Sequence, residues 1–487
     1  MNQVNIQYSH ASPLKRWVFL AIISLGLLLL GLDNSILYTA LPELDRQLNT
    51  TGIQELWIIN AYPLLMSGLL LGTGTLGDKV GHRLMFLVGL ALFTLASLAA
   101  AFAPTAWILV AARAFLGIGA ATMMPATLAL IRQTFRQERE FNLAIGIWGS
   151  VATIGAAAGP LVGGFLLEHF WWGSIFLINV PIGIFALIAT IFVAPVNMAD
   201  PSRKWDALSS FYALFTLIGA VMIIKAAASP ELPNSVLLSS IFLLLLFGTL
   251  FAWRQRRSEN PLLDIEIFKD PIFSGGVLAA GGAMMVMLGT ELMTSQRFQL
   301  ASGFSPLETG SLVAISALSA IPASIIGGAI LHRVGFRTLI TGGFLISAAG
   351  VILLALTLLP GHEISKFSML AMAVLGAGAG FIMSVSSTAI MGSAPLSKAG
   401  MASGIEEVSY EIGHLLTVAI TGSLLPLFYI QAGGTAEKYG SHLVEPQIFD
   451  TAYSNILWVL TGCALLFAAL TAWCFRGNPR SGSYASV

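Results

Sequence analysis

The chain has 487 residues, 56% of them apolar and only 10% charged, with a formal net charge of zero and a mean hydropathy of +0.83. That composition excludes a soluble globular protein, and the balanced charge argues against a nucleic-acid partner. Only helices and closed barrels satisfy every backbone group in lipid, and the apolar stretches are too long and continuous for barrel strands.

In chain order, fourteen helical spans are predicted, over 17–40, 54–76, 84–103, 105–131, 142–167, 172–194, 207–228, 234–253, 272–296, 306–331, 337–359, 365–391, 401–427 and 453–475. The first is too long, and too closely followed by the second, to be a cleaved signal peptide. Lys and Arg set the orientation. With both termini in the cytoplasm, only Arg46, Lys225, Arg297, Lys366 and Lys438 fall outside, and Arg113 lies within a span. The other basic residues, among them Arg203, Lys204 and Arg480, fall in inside loops and the tail. Cys463 and Cys474 share the last span and read as small apolar filler. No cofactor or metal is expected.

Between spans 2 and 3 stands the decapeptide Gly74-Thr-Leu-Gly-Asp-Lys-Val-Gly-His-Arg83. A faded copy runs from Gly328 to Arg337, in which Gly74, Gly81 and Arg83 map onto Gly328, Gly335 and Arg337 and His332 replaces Asp78. The same shift carries span 1 onto span 9 and span 2 onto span 10. Six spans therefore repeat as six. The predicted organisation is a cytoplasmic N-terminus (1–16), a six-helix bundle (17–194), an inserted pair with its linkers (195–271), a second six-helix bundle (272–475) and a cytoplasmic tail (476–487). Parallel repeats of this kind are a transporter plan, with the substrate site expected between the bundles. The longest outside loop, roughly 428–452, reads as a loose connection rather than an ordered cap.

Several polar residues stand out within the spans. Asp33 lies deep in span 1, and an intramembrane carboxylate is expensive and usually functional. A fixed ion pair with Arg113, at comparable depth in span 4, is the plainer reading; the two can coexist. Glu406, Glu407 and Glu411 lie in span 13, and Glu407 and Glu411 share a helix face. Two close carboxylates cannot both carry charge cheaply, which suits exchange of a proton for a cation. Glu406 and Glu407 could equally be hydrated groups at the cytoplasmic interface. Glu291, late in span 9, belongs either to an outer vestibule or to hydrated surface. Trp57, Tyr62, Trp148 and Tyr410 are aromatic candidates for a cation-binding cavity, although lipid-facing or packing roles are commoner.

In the decapeptide, Gly74 and Gly81 permit close packing and a sharp turn, Asp78 can cap a neighbouring helix, and Arg83 supplies a cytoplasmic partner. In span 5, Gly155, Gly159 and Gly163 recur every fourth residue, followed by Gly164, and let helices approach closely. Pro160 interrupts the ladder there.

These motifs carry a resemblance that covers about 17–475. Leu32-Asp33-Asn-Ser-Ile-Leu-Tyr-Thr-Ala40-Leu41-Pro42, Trp57-Ile-Ile-Asn-Ala-Tyr62, the decapeptide, Arg113-Ala-Phe-Leu-Gly117-Ile-Gly119, Gly155-Ala-Ala-Ala-Gly159-Pro160-Leu-Val-Gly163-Gly164 and Gly303-Phe-Ser-Pro306 occur in this order on these spans. The chain resembles the major facilitator superfamily, in particular the fourteen-helix drug:proton antiporters. Through the acids of span 13 it looks most like exporters of quaternary ammonium compounds and methyl viologen. The resemblance implies a monomeric multi-pass protein of the bacterial inner membrane, exporting lipophilic organic cations against protons by alternating access. It implies proton coupling at Asp33, Arg113, Glu407 and Glu411. Substrate contacts would come from Asp33, Glu291, Glu406, Glu407 and Glu411 with the four aromatics, and gating from the decapeptide and the span-5 glycines, which mark exporters. A proton-coupled carrier of an anion or neutral metabolite is the alternative, but an anion would want several buried bases and the sequence offers only Arg113. A membrane enzyme or receptor is disfavoured: no Gly-Lys-Ser/Thr phosphate loop and no metal-spaced cluster is present.

Overall fold

The computed structural model describes residues 12–200, 202, 205–228, 234–258, 262–304, 306–356, 365–435 and 444–476. Arg203, Lys204, Lys438, Arg480 and most of the predicted terminal segments lie outside the described residues, as does 436–443 of the longest outside loop. Among the described residues there is no strand, and fourteen helices are long and apolar enough to cross a membrane.

The helices are α1 (Pro13–Leu48), α2 (Gly52–Val80), α3 (His82–Ala101), α4 (Ala106–Thr134), α5 (Glu138–His169), α6 (Asn179–Val193, after the single turn Ser174–Leu177), α7 (Ala207–Ala228), α8 (Asn234–Arg257), α9 (Pro271–Gln296), α10 (Pro306–Val334), α11 (Phe336–Leu356), α12 (Lys366–Ser393), α13 (Ala399–Gln431) and α14 (Pro446–Cys474). Their ends follow local chemistry. Ser12 caps α1 ahead of Pro13, and Asn49, in the left-handed region at φ 49°, ends it. Thr51 and Gln54 form a reciprocal capping box on α2. The Thr105 side chain accepts from Ile108 N, and that of Asp270 from Ile272 N.

Several helices outrun their predicted spans. At 36 residues α1 rises about 54 Å, well beyond a hydrocarbon core of about 30 Å. Hydropathy marks only the lipid-facing stretch, whereas a nucleated helix continues until a residue stops it. For the same reason α14 begins at Pro446, ahead of its apolar run.

Two compact units emerge. The first comprises residues 1–220, 242–268 and 390–408; the second comprises 221–241, 269–389 and 409–487. In the first unit α5 packs on α1 through glycine: a Cβ at Gly155 would lie 2.8 Å from the carbonyl oxygen of Leu28, and one at Gly159 only 1.8 Å from Ser35 Oγ. The inserted α7 lies on α2 in the same way, Leu214 filling the place of a side chain at Gly68 and Ser210 that at Gly72. The Trp205 indole N–H donates to the Gly72 carbonyl at 3.0 Å. The second unit has its core around α14, where Tyr453, Ile456, Leu457 and Leu460 pack with Val286, Val351 and Tyr429.

Candidate functional site

In the first unit Asp33 and Arg113 are 2% and 1% exposed, and Arg113 Nη1 donates to Asp33 Oδ2 at 2.5 Å. Arg113 Nε donates to the carbonyl of Ile58 at 3.1 Å, and the guanidinium lies 4.8 Å from the centre of the Tyr62 ring. The other carboxylate oxygen of Asp33 accepts from Asn179 Nδ2 at 3.1 Å, and Asn179 also reaches Ser97 Oγ at 3.4 Å. Three helices, α1, α4 and α6, thus meet at one carboxylate, while α2 joins through Arg113 and α3 through Asn179. A buried pair of opposite charges survives desolvation only when the remaining donors and acceptors are also met. Asn179, 0% exposed, is the member that the sequence reading missed. Nothing local distinguishes it, because within the predicted span 172–194 it is one uncharged polar residue among apolar neighbours.

On α13, Glu406 and Glu407 are 0% and 5% exposed. Tyr410 and Glu411 follow within a turn and are half-buried. Trp148 is buried and Trp57 half-buried. Of the four aromatics, Tyr62 is the one stacked on the Asp33–Arg113 pair. Glu291 belongs to the second unit, where its carboxylate receives the hydroxyl of Ser316. Arg297, expected at the outer surface, is 6% exposed. A π-helical turn, Arg297–Ala301, carries it against α14, where Nε donates to Asp450 Oδ1 at 2.8 Å.

The decapeptide ties the α2–α3 turn to the start of α13 within the first unit. Asp78 Oδ1 accepts from Gly400 N at 3.0 Å and Oδ2 from Met401 N at 3.3 Å, at the first turn of α13. There its charge meets the positive end of the helix dipole. His82 Nε2 lies 3.1 Å from Oδ1. Gly74 and Gly400 meet backbone to backbone, a Cβ at Gly74 falling 2.2 Å from the Gly400 carbonyl oxygen. Gly81 turns the chain at φ 97°, which favours glycine, and the Asn197 amide fills the space a Cβ would need. Asn197 Nδ2 donates to Val80 O at 2.7 Å and its Oδ1 accepts from Leu84 N at 3.1 Å, so one side chain caps both helices of the turn. Arg83 Nη2 donates to the Ile191 carbonyl at 2.9 Å. In the faded copy Gly335 repeats the turn at φ 84°. Gly163 touches Ile36, whereas Gly164 has nothing within 4 Å of a Cβ position. Pro160 lies within α5, and its side chain is outside the described residues.

The Major Facilitator Superfamily profile matches residues 23–417 and 272–485. The chain belongs to the Major Facilitator Superfamily. It is therefore a multi-pass membrane transporter and not an enzyme. Within this superfamily it is 38% identical to the methyl viologen resistance protein SmvA of Salmonella typhimurium, over 84% of this chain and 83% of that one. It is 35% identical to the multidrug efflux pump LfrA of Mycolicibacterium smegmatis, over 88% and 86%. It is 31% identical to the multidrug resistance protein Stp of Mycobacterium tuberculosis, over 82% and 74%. The crystal structure of the human organic anion transporter MFSD10 matches with a TM-score of 0.63, over 93% of this chain and all of that one. At 14% identity that likeness concerns the superfamily fold alone.

Proposed function

We propose that this protein exports lipophilic organic cations, such as quaternary ammonium compounds and viologens, from the bacterial cytoplasm in exchange for protons. The carrying observation is the acid chemistry buried within the spans: Asp33 on α1 and Glu406 and Glu407 on α13 are all at most 5% exposed. A permanent cation in a low-dielectric path needs compensating negative charge, and an acid can exchange that cation for a proton. Among the described residues both buried arginines are already matched, Arg113 by Asp33 and Arg297 by Asp450. Neither is spare for an anionic substrate, which weakens the anion-carrier alternative. Similarity to a methyl viologen resistance protein and to two proteins named for multidrug efflux or resistance supports the same direction.

In this reading Asp33 and Arg113 form a switchable pair. An arriving proton neutralises the carboxylate, frees the guanidinium towards Ile58 and Tyr62, and loosens the junction of α1, α2, α4 and α6. Glu407 and Glu411 receive the cation, and the tie from Asp78 to α13 holds the cytoplasmic side shut in the outward-facing state. The test is ethidium uptake into inverted membrane vesicles energised by respiration. Uptake that collapses on adding a protonophore is expected; uptake indifferent to the protonophore removes proton coupling from this account.

A further inference from the structure

One intramembrane acid differs from the others in its partner. Glu291 sits half-buried on α9, and its Oε1 receives the hydroxyl of Ser316 from α10. Ser316 is 0% exposed, and its Oγ also lies 2.7 Å from the Val313 carbonyl oxygen one turn back. A serine hydroxyl has one proton to give. Directed at Glu291, it satisfies a carboxylate. Directed at Val313, it leaves the Glu291–Ser316 contact without a proton unless Glu291 brings its own. The same heavy-atom positions therefore accommodate both the ionised and the protonated acid.

The seat is held from the other side. α12 presses glycines onto α10: a Cβ at Gly376 would fall 1.9 Å from the Ser316 carbonyl oxygen, and one at Gly380 2.3 Å from that of Ala320. Ser319 Oγ donates to the same Ser316 carbonyl at 2.9 Å. Asp33 offers a different environment, since Arg113 and Asn179 already occupy both its oxygens. A proton entering there has to displace a guanidinium; at Glu291 it only re-aims a hydroxyl.

Ionisable groups on the surrounding elements include Arg297 just after α9, Asp450 and Tyr453 on α14, and Glu308, His332 and Arg333 on α10. Tyr410, Glu411, His414 and Tyr429 lie on α13, Lys366 opens α12, and Arg337 stands in the first turn of α11. Arg297 pairs with Asp450 and lies against the Tyr453 ring, and Tyr453 shares a hydrogen bond with Thr294. None of these groups is hydrogen-bonded to the Glu291 carboxyl.

We propose that Glu291, positioned by Ser316, is a second proton-binding site that takes up and releases a proton during each transport cycle. The proton adds to the carboxylate from water on one side and leaves to water on the other, and no further reactant is involved. The inference rests on the proton-coupled export reading but can be tested apart from it. Infrared difference spectra of the purified protein, recorded across a pH titration without substrate, should contain a protonated-carboxyl band that is absent from Glu291→Gln. Ser316→Ala should displace that band and move its titration midpoint, and Ser316→Thr should restore both. In proteoliposomes Glu291→Gln should lose gradient-driven ethidium accumulation. Identical spectra for wild type and Glu291→Gln overturn the proposal, as does undiminished driven accumulation in the variant. Should the wild type accumulate no cation under a gradient, the export reading fails, and the spectra alone decide for or against the proton site.

Discussion

Arg113 and Asp33 meet at 2.5 Å inside the first unit, each almost wholly removed from solvent, and each carries a second polar tie to another helix. Removing one charge strands the other in a low-dielectric interior, at a cost of about 3–5 kcal/mol. Asp33→Asn should therefore lower the thermal unfolding midpoint in detergent as well as abolish gradient-driven export. Asn179→Ala, which removes a neutral donor, should cost only about 1–3 kcal/mol. Comparing the two midpoints separates charge compensation from simple hydrogen bonding; equal losses would contradict this assignment.

The span-5 glycines are not equivalent. Gly159→Ala forces a methyl group to within 1.8 Å of Ser35 Oγ on α1, where backbone follows close behind. Overpacking of this kind costs about 1–3 kcal/mol. Gly164→Ala meets nothing within 4 Å and should leave stability within about 0.5 kcal/mol. Thermal denaturation of the two single variants, side by side, reads the contrast directly.

At the junction of the decapeptide with α13, Asp78→Asn keeps the shape of the side chain but removes its charge from the helix start. A helix-terminal charge of this sort contributes about 0.3–2 kcal/mol. That is enough to change the balance of two conformations several-fold. Labelling of a cysteine placed at Met401 should become faster in the variant, because the first turn of α13 is released more often. Unchanged labelling would leave Asp78 without a role in closure.

The foot of the inserted pair is tied by Asp206, whose carboxylate takes Arg254 Nε at 2.9 Å and the Ser209 hydroxyl at 2.7 Å. Burial alone would raise this acid, but the bonds from Arg254 and Ser209 outweigh it and hold the group below its ordinary value. A depressed folded-state acid contributes stability above its unfolded value, and that contribution fades as the pH falls through the folded value. Wild-type protein should therefore lose stability on acidification below the usual aspartate range, and Asp206→Asn should lose less. Melting curves from neutral to acid pH in detergent would reveal the difference as a shallower slope for the variant.

The number and order of the spans were written in the chain, because twenty or so apolar residues have no other low-energy arrangement in lipid. The turn at Gly81 and its copy at Gly335 were equally legible, since glycine spacing reports backbone shape directly. The ends of helices such as α1 and α14 were not, because hydropathy measures contact with lipid and not the extent of hydrogen-bonded backbone. Sequence could rank Asp33 and Arg113 as costly residues at similar depth, for the penalty of burying charge depends on residue type alone. Only the folded chain decided that Asn179 completes their network, that Asn197 fills the space above Gly81, and that Ser316 rather than a cation attends Glu291. Such pairings join residues far apart along the chain, through helix faces whose rotation is set by packing and leaves no periodic trace in a single sequence.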